Sequence, residues 1–142
     1  MALSSAPASD DLAVLETALP DPVRRYFETA NRGEFDQTAA LFAADGQLVP
    51  PFEQPIVGRD AIAQYLSAEA AGMSFNPMQL EDRDLAESDD TTSQGYLVRG
   101  KVKTSLFTVN VAWEFTLNRA QEILFVKVKL LAKLNELLKL KS

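Results

Sequence analysis

The segment that most restricts how this chain can fold is residues 45–62, which read DGQLVPPFEQPIVGRDAI. It holds three of the seven prolines and two of the six glycines, between two stretches with helical spacing. Pro50 and Pro51 remove two successive backbone donors, so this run cannot form a central strand. The helical spacing resumes after Pro55, at Ile62. The segment therefore predicts a short strand, a bent loop and a new helix, which is typical of the rim of a cavity; a plain surface connection is the alternative.

Composition excludes several kinds of site and partner. The 142 residues include no histidine and no cysteine, so Ser–His catalytic pairs, thiol nucleophiles, disulfides and the commonest transition-metal sites are ruled out. We expect no metal. A net charge of −6 argues against nucleic acid as a partner, because a surface that binds nucleic acid needs positive charge to neutralise the phosphates. No apolar run approaches the roughly 20 residues that span a bilayer. The N-terminus lacks the features of a secretory signal, so a cytoplasmic location is expected.

The length predicts one folded domain. Residues 1–19 are expected to form a flexible leader with a short helix, and residues 20–142 the domain itself. Its last residues, 132–142, continue a stripe of leucines beside lysines. This pattern predicts a C-terminal amphipathic helix, either packed on the sheet or detachable. A detachable helix would act as a movable flap over the cavity, or meet a partner groove or a membrane surface.

Two helices are predicted near the start of the domain. The first begins with Asp21 as N-cap and Pro22 at the first helical position, and Gly33 ends it. Its apolar residues recur at i, i+3, i+4 and i+7, and they are Val23, Tyr26, Phe27 and Ala30. The second helix is predicted over residues 34–43.

The remaining chain is predicted to be mostly strand. Asp45-Gly46 is a turn signal, and a third helix covers residues 59–71. The spacing then changes to the alternation of strands, with an acidic hairpin connection over residues 81–95. One strand is predicted to begin at Met73, and three more are predicted over residues 95–102, 106–117 and 122–131. Helices followed by antiparallel strands predict an α+β fold, in which a strongly bent antiparallel sheet packs against the N-terminal helices as a cone open at one end.

Two hydrogen-bond donors stand out on apolar faces. Trp113 is the single tryptophan, and it shares a strand face with Val111 and Phe115. Tyr26 lies on the apolar face of the first helix. Each alone is more typical of a core residue than of a ligand contact. Together, two donors on facing elements can bind one carbonyl oxygen, which predicts a site for an apolar ligand that ends in a ketone.

Two other functions remain open on the same fold. A small-molecule isomerase or dehydratase would use a tyrosine with a carboxylate, for which Asp36, Asp45 and Glu53 are the candidates. None of them falls plainly on an inward strand face, and Glu114 alternates outward from Trp113, so no catalytic residue is predicted. The other hypothesis is a structural module that dimerises through its outer sheet and has a solid interior.

Four stretches of the sequence resemble a known family: LFAADGQLVPPFEQPIVGRDAI, RGKVKT, NVAWEF and ILFVKVKLLAKLNELLKL. They are similar to the C-terminal domain of the cyanobacterial orange carotenoid protein, and hence to its free-standing homologues, the C-terminal domain-like carotenoid proteins. The resemblance covers about residues 20–142. It implies the nuclear-transport-factor-2-like (NTF2-like) fold.

The resemblance implies a non-enzymatic ketocarotenoid-binding protein. In this family a helix tyrosine and a strand tryptophan, matching Tyr26 and Trp113, donate hydrogen bonds to the ring carbonyl of non-covalent canthaxanthin or echinenone. The implied role is to carry and transfer carotenoid and to quench singlet oxygen in photoprotection. Apolar residues expected to line the binding tunnel are Met73, Phe75, Val128 and Leu130, with Val111 on the face of Trp113.

The resemblance also implies partners. Free-standing members form homodimers that share one carotenoid, pass pigment to helical carotenoid proteins homologous to the N-terminal domain, and contact membranes transiently during loading. Glu69 matches a glutamate that pairs with an arginine of that N-terminal domain. Residues 105–107 replace a Pro-Trp-Phe turn whose tryptophan contacts the same domain. Lys127 and Lys129 replace less basic residues. Because this chain lacks the cysteine that locks some dimers, any dimer is expected to be non-covalent.

Overall fold

The computed structural model describes residues 18–83 and 93–131. The predicted leader, apart from its last two residues, and the predicted C-terminal helix lie outside these ranges. The described part contains helices α1 (Asp21–Asn31), α2 (Phe35–Ala40) and α3 (Arg59–Glu69), and strands β1 (Phe42–Val49), β2 (Ile56–Val57), β3 (Ser74–Arg83), β4 (Gln94–Lys103), β5 (Thr108–Leu117) and β6 (Ile123–Leu131).

The six strands form one curved, unclosed sheet in the order β2-β1-β6-β5-β4-β3. Neighbouring strands are antiparallel except β1 and β6, which are parallel. This parallel pair arises because the chain leaves β1, passes through α3, and returns to the other side of β1 only with β6, the last strand of the described residues. The predicted α+β fold with a bent sheet packed on helices is confirmed.

Helix α1 supplies much of the apolar layer that faces the sheet. All four residues of its predicted apolar face are buried. The predicted N-cap is one residue off: Pro20 caps the helix and Asp21 is already helical, because its carboxylate pairs with Arg24 at 2.7 Å instead of capping the backbone. Gly33, with φ +73°, follows the helix end as expected, since this conformation favours glycine.

The chain over residues 42–49 differs from the prediction. Phe42, expected in the second helix, begins β1, and Asp45-Gly46 lies within this strand instead of forming a turn. The register with β6 steps from Phe42 opposite Ile123 to Gln47 opposite Phe125, so extra residues of β1 bulge out here. Gly46 permits the bulge, because a Cβ atom on it would lie 2.8 Å from the backbone oxygen of Ile123.

Residues 50–55, which we name the proline lip, leave the sheet after β1. The short strand β2 then pairs back onto β1 at the edge of the sheet, with Leu48 opposite Ile56. Gly58, at φ +95°, redirects the chain into α3. The predicted succession of strand, bent loop and new helix is therefore confirmed.

The strand ends of the remaining hairpins are shifted from their predicted positions. β3 continues through Arg83 into the acidic stretch that was expected to be a connection, because its residues pair with β4 as far as Gly95. β5 starts at Thr108 and not at Leu106. The hydroxyl oxygen of Thr104 accepts the N–H groups of Leu106 and Phe107, which holds them in the preceding turn.

Candidate functional site

A cavity of about 280 Å³ lies between the helices and the concave face of the sheet. Its wall is built almost wholly of apolar side chains from α1, α3, the proline lip and five of the strands. This cavity reaches Trp113. The structural module hypothesis predicted a solid interior at that position, so this expectation is wrong.

All seven residues predicted to contact a ligand contribute to the wall of this one cavity. Strands β3, β5 and β6 supply five of them, Met73 immediately precedes β3, and Tyr26 comes from α1. The residues are Tyr26, Met73, Phe75, Val111, Trp113, Val128 and Leu130. That they contact a carotenoid stays a prediction.

Other wall residues were missed by the sequence reasoning. Pro50 and Pro51 belong to the wall itself, although the pattern assigned them only to a rim. Tyr65 also contributes to the wall. Its position three residues after the buried Ile62 on α3 could have indicated this, because residues at this spacing share a helix face. Thr104 and Phe107 lie in the β4–β5 turn, whose geometry depends on side chain to backbone bonds that a periodicity does not reveal.

Trp113 is held in place by the packing around it. It is only 1% exposed and lies on β5 between Val98 of β4 and Val128 of β6. Its ring meets that of Phe27 edge to face, with centroids 4.8 Å apart and planes at 81°. Such an arrangement fixes the direction of the indole N–H.

Tyr26 belongs to the same aromatic group. It is 4% exposed, and its ring makes edge-to-face contacts with Phe27 at 5.3 Å and Phe115 at 5.2 Å. Burial, the main cause, and then the nearby Tyr65 raise the pKa of the Tyr26 hydroxyl well above its usual range. The hydroxyl therefore remains a neutral hydrogen-bond donor at all ordinary pH values.

Neither donor has an acceptor within the part of the chain that the structure describes. The Tyr26 hydroxyl and the Trp113 indole N–H make no protein hydrogen bond there, and neither atom is fully enclosed. Once a ligand excludes water from the cavity, a donor left unpaired would cost about 1–3 kcal/mol. Two unpaired donors on one apolar cavity wall thus point to an acceptor supplied from outside the protein.

The carboxylates considered for acid–base chemistry are not part of the cavity wall. Asp36, Asp45 and Glu53 are all exposed and absent from it. Glu114 faces away from Trp113, as predicted, and pairs with Lys129 on the outer face of the sheet. The carboxylate that does contribute to the wall is Glu69, the exposed last residue of α3.

Glu53 has a different contact, with Tyr65. The Tyr65 hydroxyl donates a hydrogen bond of 2.9 Å to Glu53 Oε2, which joins α3 to the proline lip. Burial first, then this bond and the charges of Glu53 and Glu69, raise the pKa of Tyr65 well above its usual range. Tyr65 is therefore a neutral phenol whose proton is directed at the lip.

Comparison with known proteins places this geometry in a family. The model of the SnoaL-like domain matches residues 23–124. The chain belongs to the SnoaL-like domain family. The orange carotenoid-binding protein of Limnospira maxima is 34% identical to this SnoaL-like chain over 130 residues, which cover 89% of the chain and 40% of that protein.

Solved structures extend the comparison. The orange carotenoid protein of Anabaena (Nostoc) sp. PCC 7120, which binds canthaxanthin, matches with a TM-score of 0.72 and 36% identity, over 83% of this SnoaL-like chain and 38% of that protein. The expected similarity to the C-terminal domain of that protein is confirmed. The chain spans well under half of the length of these relatives. A ketosteroid isomerase-like protein of Erwinia carotovora atroseptica, 16% identical with a TM-score of 0.58 over 87% of this chain and 98% of its own, shares the fold alone.

Exposed apolar side chains lie next to wall residues of the SnoaL-like cavity along the chain. Phe52, on the proline lip, is 94% exposed and adopts φ +62°, and Leu106 is 86% exposed. Phe107 is also exposed and at the same time contributes to the cavity wall. We call these three residues the apolar rim. Within residues 18–83 and 93–131, no helix combines the length and the apolarity needed to cross a bilayer.

Proposed function

We propose that this protein is not an enzyme but binds one end of a ketocarotenoid non-covalently. The end ring occupies the cavity, and Tyr26 and Trp113 donate hydrogen bonds to its carbonyl oxygen. The observation that carries the proposal is the pair of unpaired donors on the wall of an apolar cavity. Its occurrence in a chain one third identical to orange carotenoid-binding proteins gives the acceptor its chemical class.

The size of the cavity supports binding of one end only. Ligand pockets commonly measure about 300–1,000 Å³, and this one, at about 280 Å³, is at the lower limit. It suits a single end ring and not a whole carotenoid. The polyene must then leave through the mouth, past the apolar rim.

A second copy of the chain is the proposed cover for the emerging half of the pigment. The apolar rim supports this, because side chains such as Phe52 and Leu106 expose large apolar areas that favour burial against another surface. The homodimer would share one carotenoid and, with no cysteine in the chain, would be non-covalent. We propose that the protein takes up the pigment from a membrane during a transient contact. It then passes the pigment to helical carotenoid proteins.

The proposed pigment is canthaxanthin or echinenone. Canthaxanthin has the support of the similar structure from Anabaena that binds it. The proposed role is that of a cytoplasmic carrier that transfers carotenoid and quenches singlet oxygen.

The experiment that tests the proposal is production of the protein in cells that make canthaxanthin. We expect a coloured protein whose visible band lies at longer wavelength than that of free canthaxanthin, and one pigment per two chains in size-exclusion chromatography. A colourless protein that is folded by circular dichroism would contradict carotenoid binding. A coloured monomer would contradict only the shared dimer.

A further inference from the structure

Phe27 contacts both hydrogen-bond donors of the cavity without contributing to the cavity wall. It is 3% exposed on α1, and it is not one of the residues that line the cavity. Its ring meets that of Tyr26 edge to face, with centroids 5.3 Å apart and planes at 81°. It meets the ring of Trp113 in the same way, at 4.8 Å and 81°. One buried ring therefore packs against both donor side chains.

This ring connects a donor on a helix to a donor on a strand. Tyr26 and Phe27 are neighbours on α1, whereas Trp113 lies on β5. Among the described residues, the other aromatic contacts of this group are those of Tyr26 with Phe42 at 6.3 Å, and of Phe115 with Tyr26 at 5.2 Å and with Phe27 at 5.8 Å. In none of these contacts does a ring meet Trp113. Within this aromatic group, the position of Tyr26 relative to Trp113 thus depends on Phe27.

Two donors can bind one carbonyl oxygen only within narrow limits. Each donor atom must lie about 2.5–3.2 Å from the oxygen, and the bond weakens steeply when its angle falls below about 120°. Since aromatic pairs prefer a defined tilt, an edge-to-face contact restricts how each ring can turn. A shift of about 1 Å in either donor would break one of the two bonds.

We propose that Phe27 is a positioning residue, which holds the Tyr26 hydroxyl and the Trp113 indole N–H at a separation that one carbonyl oxygen can bridge. This inference rests on the proposed function and adds to it a residue that sets the geometry of the site without touching the ligand. The role requires the rigid ring. A side chain of similar apolarity without a ring would let the two donors move apart.

The test is Phe27→Leu with canthaxanthin as the bound pigment. The variant keeps a buried apolar side chain but loses the ring. We expect a visible band between those of the wild type and of Tyr26→Phe/Trp113→Phe, because one of the two hydrogen bonds is lost. Pigment release should be faster by about 2- to 12-fold, which corresponds to one bond. Phe27→Met, whose flexible chain also lacks a ring, should give the same result and takes the place of the leucine variant if that variant does not fold.

Phe35→Leu is the matched control for the loss of a buried ring. Phe35 is 7% exposed, lies on α2 and belongs to the same hydrophobic core. It is not part of the cavity wall, and among the described residues its ring contacts neither donor. Both leucine variants should lower the free energy of unfolding in urea, but Phe35→Leu should keep the band and the release rate of the wild type. Stability and donor geometry are thereby separated.

A second comparison asks whether Phe27 acts through the donors. Phe27→Leu is combined with Tyr26→Phe/Trp113→Phe, which has already lost both donors. Substitutions that act through the same interaction are not additive, so the added change should leave the band and the release rate where they are. Tyr96→Phe controls for the removal of a tyrosine hydroxyl, because the Tyr96 hydroxyl donates to the side chain of Gln94 and is not part of the cavity wall.

The outcomes separate this inference from the proposed function. An unshifted band with unchanged release in Phe27→Leu and Phe27→Met would overturn the role of Phe27 and leave carotenoid binding intact. An equal shift in Phe35→Leu would overturn it too, as would a full further shift when Phe27→Leu is added to the variant without donors. Failure of the wild type to bind canthaxanthin would overturn the proposed function itself.

Discussion

The amide of Asn31 fixes one wall of the cavity, and its removal is predicted to cost both stability and ligand retention. Asn31 is the last residue of α1. Its Nδ2 donates to the backbone oxygen of Phe75 at 2.8 Å, and its Oδ1 accepts the N–H of Phe75 at 2.6 Å. The N–H and C=O groups of one strand residue point to the same side of the strand. Those of Phe75 therefore point towards α1 and not towards β4. The side chain of Phe75 is part of the cavity wall.

The magnitude for Asn31→Ala follows from the two bonds. Each contributes about 0.5–1.5 kcal/mol net, so the free energy of unfolding should fall by about 2 kcal/mol. For a chain of this size, about 2–4 °C per kcal/mol applies, which predicts a Tm lower by about 4–8 °C. Calorimetry and urea unfolding measure this directly. With β3 less firmly held, release of bound carotenoid should also accelerate.

Asn118→Ala is the matched control. The amide of Asn118 also makes two hydrogen bonds, across the β5–β6 turn: its Oδ1 accepts the backbone N–H of Glu122, and its Nδ2 donates to the Glu122 carboxylate. Neither residue is part of the cavity wall. Loss of this amide should lower the Tm but leave the release rate unchanged. The reasoning is refuted if Asn31→Ala has the Tm of the wild type, or if both variants release the pigment equally fast.

Three further predictions concern the backbone and pH. Gly100→Ala should destabilise the fold by about 1–3 kcal/mol in urea unfolding, because its Cβ would clash with the backbone oxygen of Asn76. A variant as stable as the wild type would contradict this close approach. Phe52→Asn should raise the free energy of unfolding by about 0.5–1 kcal/mol, since asparagine tolerates the left-handed conformation and the exposed ring packs little; no gain would argue against strain at the lip. Burial raises the pKa of Tyr26, so its contribution to stability should be complete below pH 10 and should decrease as the pH rises above 10, by up to about 1.4 kcal/mol per pH unit. If Tyr26→Phe shows the same slope of unfolding free energy against pH as the wild type, this prediction is wrong.

The sequence predicted the parts of this fold that depend on local periodicity and on proline and glycine. The buried face of α1 and the lip after Val49 follow directly from residue spacing. The bulge in β1 does not, because it depends on how closely Gly46 approaches β6, nearly eighty residues later in the chain. Local composition at Asp45-Gly46 is that of a turn, and long-range pairing overrides it.

The residues of the candidate site also fall into those that local sequence patterns predicted and those that depend on contacts between distant parts of the chain. Tyr26 and Trp113 were predictable because each is a donor on an apolar face. The Tyr65–Glu53 hydrogen bond was not, because it joins a helix to a loop whose path the pattern could not specify. Pro50 and Pro51 were assigned to a rim from their chemistry, but only the folded chain reveals that they form part of the wall.

The most direct test of the central claim is the visible absorption band of canthaxanthin bound to Tyr26→Phe/Trp113→Phe, compared with wild type and with Tyr96→Phe. Loss of both hydrogen bonds should shift the band to shorter wavelength. It should also accelerate pigment release by about 5- to 150-fold, from about 1–3 kcal/mol in total. The control should behave as the wild type does. An unshifted band with unchanged release in the double variant would contradict the account, because the two donors would then not hold the carbonyl.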